Sequence, residues 1–170
     1  VALSGNTAVV GAPGDGTLIH ATPAAYVFSR SGDAWTEAAK LTAPDVAPDQ
    51  FFGYSVALSG NTAFVSVPLN DNQAGTTAGA AYVFVRSDAP EPPGWAQVAK
   101  LIASDATAWD GFGHSLALDG DTALVVAPDH DVGDMYDAGS AYVFDLHCRP
   151  DEDGIPDAID NCPYLSNPAQ

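Results

Sequence analysis

Val56-Ala-Leu-Ser-Gly-Asn-Thr-Ala63 repeats Val1-Ala-Leu-Ser-Gly-Asn-Thr-Ala8 letter for letter, and it returns as Leu116-Ala-Leu-Asp-Gly-Asp-Thr-Ala123. Self-similarity at a fixed period decides architecture before any local reading. Working outward, Ala25-Tyr-Val-Phe28 returns as Ala81-Tyr-Val-Phe84 and Ala141-Tyr-Val-Phe144. Trp35 with Ala39-Lys-Leu41 returns as Trp95 with Ala99-Lys-Leu101, and Phe52-Gly53-Tyr-Ser55 as Phe112-Gly113-His-Ser115. The period is 55 to 60 residues, and the difference lies mainly in a longer turn at Asp88-Ala-Pro-Glu-Pro-Pro-Gly94. The chain opens on Val1 inside this pattern, which reads as an excerpt from a longer protein.

Each unit reads as β structure. Val56-Ala-Leu58 and Ala63-Phe-Val65 flank a Gly-Asn pair, the signal for a tight hairpin. Ala81-Tyr-Val-Phe-Val85 has the aromatic and β-branched content of a third strand, and Trp95 to Ile102 supplies a fourth. No segment carries a 3.6-residue period, so almost no helix is expected. Four short strands per unit, repeated, predict consecutive β-propeller blades, with a solenoid ladder as the alternative. Trp35 and Trp95 are expected in the core. His114 stands in the slot of Tyr54 and is expected to pack or hydrogen-bond; His130 is expected to point outward. Ser55 and Ser115 recur in register, which predicts repeated packing.

The 170-residue chain carries 22 acidic residues against 5 basic ones, formally -17. Nucleic-acid binding needs basic surface to neutralise phosphate, and anionic membranes repel such a chain, so neither is expected as a partner. Between Asp129 and Asp160 lie ten of the 22 acids, with Arg149 the only basic residue. Solubility does not require such clustering; bound cations do. The two cysteines, Cys148 and Cys162, lie in this acidic tail and are not spaced as CxxC. They read as a disulfide element in an oxidising, extracytoplasmic compartment, paired with each other or with cysteines outside the chain. No nucleophile elbow, HExxH motif or phosphate-cradling loop is present, so no catalytic residues are assigned.

Phe52-Gly53 and Phe112-Gly113, alternating with Gly11-Ala-Pro13 and its copies Ser66-Val-Pro68 and Val126-Ala-Pro128, resemble the FG-GAP repeats of integrin α-subunit propellers and bacterial surface proteins. The resemblance covers residues 1–145 and implies a partial propeller of about two and a half units, with calcium in the loop after the Gly-Ala-Pro element. The family loop runs D-x-D-x-D-G-x-x-D. Here Asp129, Asp131 and Asp137 match its first, third and ninth positions, and Gly133 and Asp134 stand exchanged at the fifth and sixth. Asp134 then either replaces the missing ligand or faces solvent, and the Met135 carbonyl is the backbone ligand. The equivalent loops keep one carboxylate each, Asp71 in the second unit and Asp15 in the first, and are read as degenerate.

Residues 146–170 form a second module. Cys148 to Gln170 resembles a thrombospondin type 3 repeat, whose core reads D-x-D-x-D-G-x-x-D-x-x-D-N-C-P. Asp151, Asp153, Gly154, Asp157, Asp160, Asn161, Cys162 and Pro163 fit it, and Arg149 stands where the first Asp belongs. The resemblance implies calcium held by Asp151, Asp153, Asp157, Asp160 and the Ile155 carbonyl. The function expected is a calcium-binding, non-catalytic recognition or adhesion scaffold of a secreted or cell-surface protein, binding an extracellular protein or carbohydrate ligand. The alternatives are an accessory domain of an extracellular hydrolase and a structural stalk.

Overall fold

The computed structural model describes residues 1–14, 22–87 and 94–146. Short strands joined by two-residue Gly-Asn or Gly-Asp turns organise it. Strand β1 (Ala2–Ser4) turns at Gly5-Asn6 into β2 (Thr7–Ala12), which pairs with β3 (Ala24–Ser31) and that with β4 (Ala34–Leu41). The second unit repeats this as β5 (Val56–Ser59), β6 (Thr62–Val67), β7 (Ala80–Ser87) and β8 (Gly94–Leu101). The third contains β9 (Ser115–Asp119), β10 (Thr122–Ala127) and β11 (Ser140–Asp145). Every pairing within the sheets is antiparallel and between consecutive strands. The fold is all-β, a partial propeller of three sheets. Its helical content among the described residues is one 3-10 turn at Pro48–Gln50, and no described helix is long and apolar enough to cross a membrane.

The turn glycines Gly5, Gly60 and Gly120 take φ of 56°, 54° and 56°. That left-handed geometry matches the twist of the flanking strands, which is why Gly-Asn recurs there.

Side chains alternate across a strand, so a central sheet buries both faces. In the middle sheet Ala63, Val65, Val67, Tyr82 and Phe84 pack toward the first sheet's Val9, Val27 and Leu41. Phe64, Ala81 and Val83 pack the other way, onto Ala123, Val125 and Ala127 of the third sheet. Phe52 closes the first joint, lying 5.8 Å from the Tyr82 ring and 6.1 Å from Phe84. Phe112 closes the second, 5.5 Å from Tyr142 and 6.0 Å from Phe144. The glycine after each phenylalanine lets the backbones touch. Gly53 has φ 89°, a Cβ there would come within 2.7 Å of the Ala24 carbonyl, and a Cβ on Gly11 would collide with the Gly53 carbonyl.

Serines link successive hairpins. The Gly60 amide donates to Ser4 Oγ at 3.1 Å, the Gly120 amide to Ser59 Oγ at 3.1 Å, and the Leu116 amide to Ser55 Oγ at 3.2 Å. The recurrence of Ser55 thus serves sheet-to-sheet packing.

Two expectations are corrected. Trp35 is not a core residue: it is 42% exposed on the outermost strand of its sheet, with the Arg30 guanidinium 5.7 Å from its ring. Trp95, on β8, is only partly buried against the first joint. An outer strand has one neighbour and no sheet beyond it, so its side chains stay in contact with water. His130 is not outward-facing: it is 6% exposed, drawn in by a carboxylate described below. The expected pairing of Cys148 with Cys162 lies outside the described residues, as do the first unit's Asp15 and the tail ligands Asp151, Asp153, Ile155, Asp157 and Asp160.

Candidate metal centre

The loop between β10 and β11 carries Asp129, Asp131, Asp134 and Asp137, and all four are exposed. Its tip is a tight reversal in which the Val132 amide donates to the Met135 carbonyl at 3.0 Å and the Met135 amide to the Val132 carbonyl at 3.1 Å. Asp131 Oδ1 accepts the Asp137 amide at 2.9 Å, and Asp137 takes the left-handed φ of 51°. Asp129 lines a cleft between the second and third sheets with Tyr54, Pro68, Leu69 and His114. The imidazole of His114 lies 5.3 Å from the Tyr54 ring, with Nε2 3.4 Å from the Tyr54 hydroxyl, so this histidine does pack and hydrogen-bond in its repeat slot.

The equivalent loop between β6 and β7 has the same frame. The Asn72 and Gly75 amides and carbonyls pair at 3.1 and 3.0 Å, and Asp71 Oδ1 accepts the Thr77 amide at 2.8 Å. Thr77 has φ 55°. This frame therefore forms around one carboxylate. The third unit adds Asp129 where the second has Leu69, Asp134 where it has Ala74, and Asp137 where it has Thr77.

The structure joins Asp131 to Asp137 through a bond from the Asp137 amide to the Asp131 carboxylate. Among the described residues no group of three or more His, Cys, Asp and Glu side chains stands ready to hold a metal ion. The donor chemistry nonetheless fits a hard cation: oxygen ligands alone, on exposed side chains, with no Lys or Arg between Asp129 and Leu146.

Beneath the loop is a polar layer that the sequence reading did not identify. Asp110, 1% exposed, accepts the Thr107 amide at 2.6 Å, the Thr107 hydroxyl at 2.7 Å and a bond with His130 Nδ1 at 2.9 Å. Burial alone raises a carboxyl pKa, but these bonds and the imidazole outweigh it and hold Asp110 below the ordinary carboxylate range. His130 Nε2 lies 3.5 Å from Asp105, which also accepts the Tyr142 hydroxyl at 2.8 Å. Burial, and then Asp105, push the Tyr142 phenol up to about 12. The matching Asp45 accepts the Tyr82 hydroxyl at 3.0 Å and Lys100 at 2.7 Å. The only signal in the sequence for this layer is its register: Asp45 and Asp105, Gln50 and Asp110, and Asn70 and His130 each stand sixty positions apart.

A family model described as FG-GAP repeat matches residues 1–28, 35–84 and 95–144, and one described as thrombospondin type 3 repeat matches residues 150–170. No curated protein matches the chain. Both repeat types are typical of extracellular, adhesion-type segments. The three matched stretches cover well over half of the chain, and the protein belongs to the FG-GAP repeat family, with a thrombospondin type 3 repeat after its third sheet.

Proposed function

We propose that this protein is a calcium-binding, non-catalytic recognition scaffold of a secreted or cell-surface protein. In this reading calcium is held in the loop from Asp129 to Asp137 and in the tail by Asp151, Asp153, Asp157, Asp160 and the Ile155 carbonyl. The observation that carries it is the comparison of the two loops. The second unit builds the same frame with Asp71 alone, so Asp129, Asp134 and Asp137 are not needed for the fold of the loop. Like charges crowded on one reversal repel, and a divalent cation turns that repulsion into attraction. The cation draws the exposed carboxylates inward, stiffens the reversal and stabilises the ordered loop by mass action. An extracellular protein or carbohydrate is the ligand such a scaffold would present itself to.

Calcium titration by calorimetry of the 170-residue chain tests the proposal, with Asp129→Ala and Asp153→Ala measured separately. Two classes of site are expected, at about 10⁻⁴ to 10⁻³ M as in extracellular modules, each variant removing one class. No heat at millimolar calcium would overturn it.

A further inference from the structure

The cleft between the second and third sheets is lined by matching positions of two successive units, filled differently. Phe51, Tyr54 and Leu69 come from the second unit, and Gly111, His114 and Asp129 from the third. Each residue of the first set stands sixty positions before its counterpart in the second. The backbone is alike at the first pair, with φ 62° at Phe51 and 65° at Gly111. Glycine takes that left-handed angle freely, whereas a bulky residue there is strained. The second unit nonetheless keeps a half-buried phenylalanine, and Leu69, 36% exposed, lines the same cleft. Backbone strain of this kind gathers at binding sites. In the third unit both apolar side chains are gone. A Cβ on Gly111 would lie 3.6 Å from Asp129 Oδ2, so the carboxylate stands beside the glycine. Among the described residues no lysine or arginine lines the cleft. One unit thus supplies an apolar lining and the other a carboxylate, and the Tyr54 and His114 rings, 5.3 Å apart, join them.

We propose that this cleft binds a quaternary ammonium group, with its charge against Asp129 and its methyl groups against Phe51 and Leu69. The size suits a head group: the cavity is about 170 Å³, below the roughly 300–1,000 Å³ of sites for drug-sized ligands. The sign of the charge follows from Asp129 and from a chain of formal charge -17, which repels anions. The type of cation follows from the lining. A primary ammonium or a guanidinium brings several N–H donors, and a largely apolar cleft with one carboxylate leaves most of them without acceptors. A quaternary ammonium has no N–H to satisfy, and aromatic rings attract it electrostatically.

The inference goes beyond the calcium reading, although Asp129 serves both. The test titrates choline chloride into the 170-residue chain in calcium-free buffer and follows backbone amide shifts by NMR. Saturable shifts are expected at Tyr54, Leu69, Gly111 and Asp129, with a Kd of about 1 mM for so small a ligand. The neutral analogue of choline, with a tert-butyl group for the trimethylammonium, is expected to bind roughly tenfold more weakly, and Asp129→Asn to weaken choline by about the same factor. Agmatine, which carries a guanidinium, is expected to bind roughly fivefold more weakly than choline. Phe51→Gly keeps the fold, because Gly111 already holds that backbone angle, and is expected to weaken choline roughly fivefold. No shift at about 50 mM choline, a neutral analogue or agmatine that binds as well as choline, or a Phe51→Gly chain of full affinity would each overturn the proposal. Phosphatidylcholine vesicles distinguish the sources of a bound choline group: co-sedimentation identifies a lipid head group, and its absence a free solute. Calcium titration of Phe51→Gly keeps the two readings separate. That variant should retain calcium binding while losing choline, and a wild type that binds no calcium defeats the calcium reading and leaves the choline result standing.

Discussion

Gly53 shows what single residues contribute. Its φ of 89° and its contact with the Ala24 carbonyl leave no room for a Cβ, whereas Gly5, at φ 56°, faces open space. Gly53→Ala should therefore cost more than Gly5→Ala, with roughly 1 kcal/mol of backbone strain common to both and a packing clash added only at Gly53. Urea unfolding of the two variants checks this, and equal losses would contradict the close approach. Asp45 gives the pH dependence. Burial raises its pKa, but bonds from Lys100 and Tyr82 and the lysine charge hold it below 3.8. A group depressed on folding stabilises above its unfolded pKa, and that contribution fades as pH falls through the folded value. Because Asp45 is half exposed the contribution is small, about 0.5 kcal/mol. Wild type should exceed Asp45→Asn in stability at pH 6 and lose that margin below about pH 3.8, measured by thermal melts across pH.

Strands and loops show how much the sequence could disclose. Hairpins, register and the phenylalanine-glycine joints were legible because each depends on neighbours a few positions away and recurs three or two times. The recurrence of Trp35 as Trp95 suggests a core position, while the exposure of Trp35 follows from β4 being an edge strand, a fact of sheet order. His130 was misread for a different reason: its partner Asp110 lies twenty residues upstream, and nothing local announces it. At the loop, the acidic residues are visible in the sequence but their surroundings are not, since Asp129 lines a cleft whose other residues, Tyr54 and Leu69, come from the preceding unit. The joints carry the element-scale prediction. Phe52→Ala and Phe112→Ala each empty a buried aromatic site and should cost about 3–5 kcal/mol, while Trp35→Ala, at a partly exposed ring, should cost far less. Denaturant midpoints rank the three, and a Trp35 loss equal to that of Phe52 would contradict the assigned core.

At the scale of the molecule, the middle sheet is covered on both faces and the third on one. Val83 is 2% exposed, and its counterpart Val143 is 70% exposed. The sheets are stacked by packing and hydrogen bonds that recur from one joint to the next, and ten of the 22 acidic residues fall in the stretch from Asp129 to Asp160. The exposed Asp129, Asp131, Asp134 and Asp137 belong to a loop outside the buried clusters, so calcium bound there would act without disturbing the core. Backbone amide shifts of the isotope-labelled chain, followed by NMR during calcium addition, test this most directly. The account predicts saturable changes confined to residues 129–139 and 151–162, with β1 to β8 unmoved. Changes spread over the sheets, or none at several millimolar calcium, would contradict it.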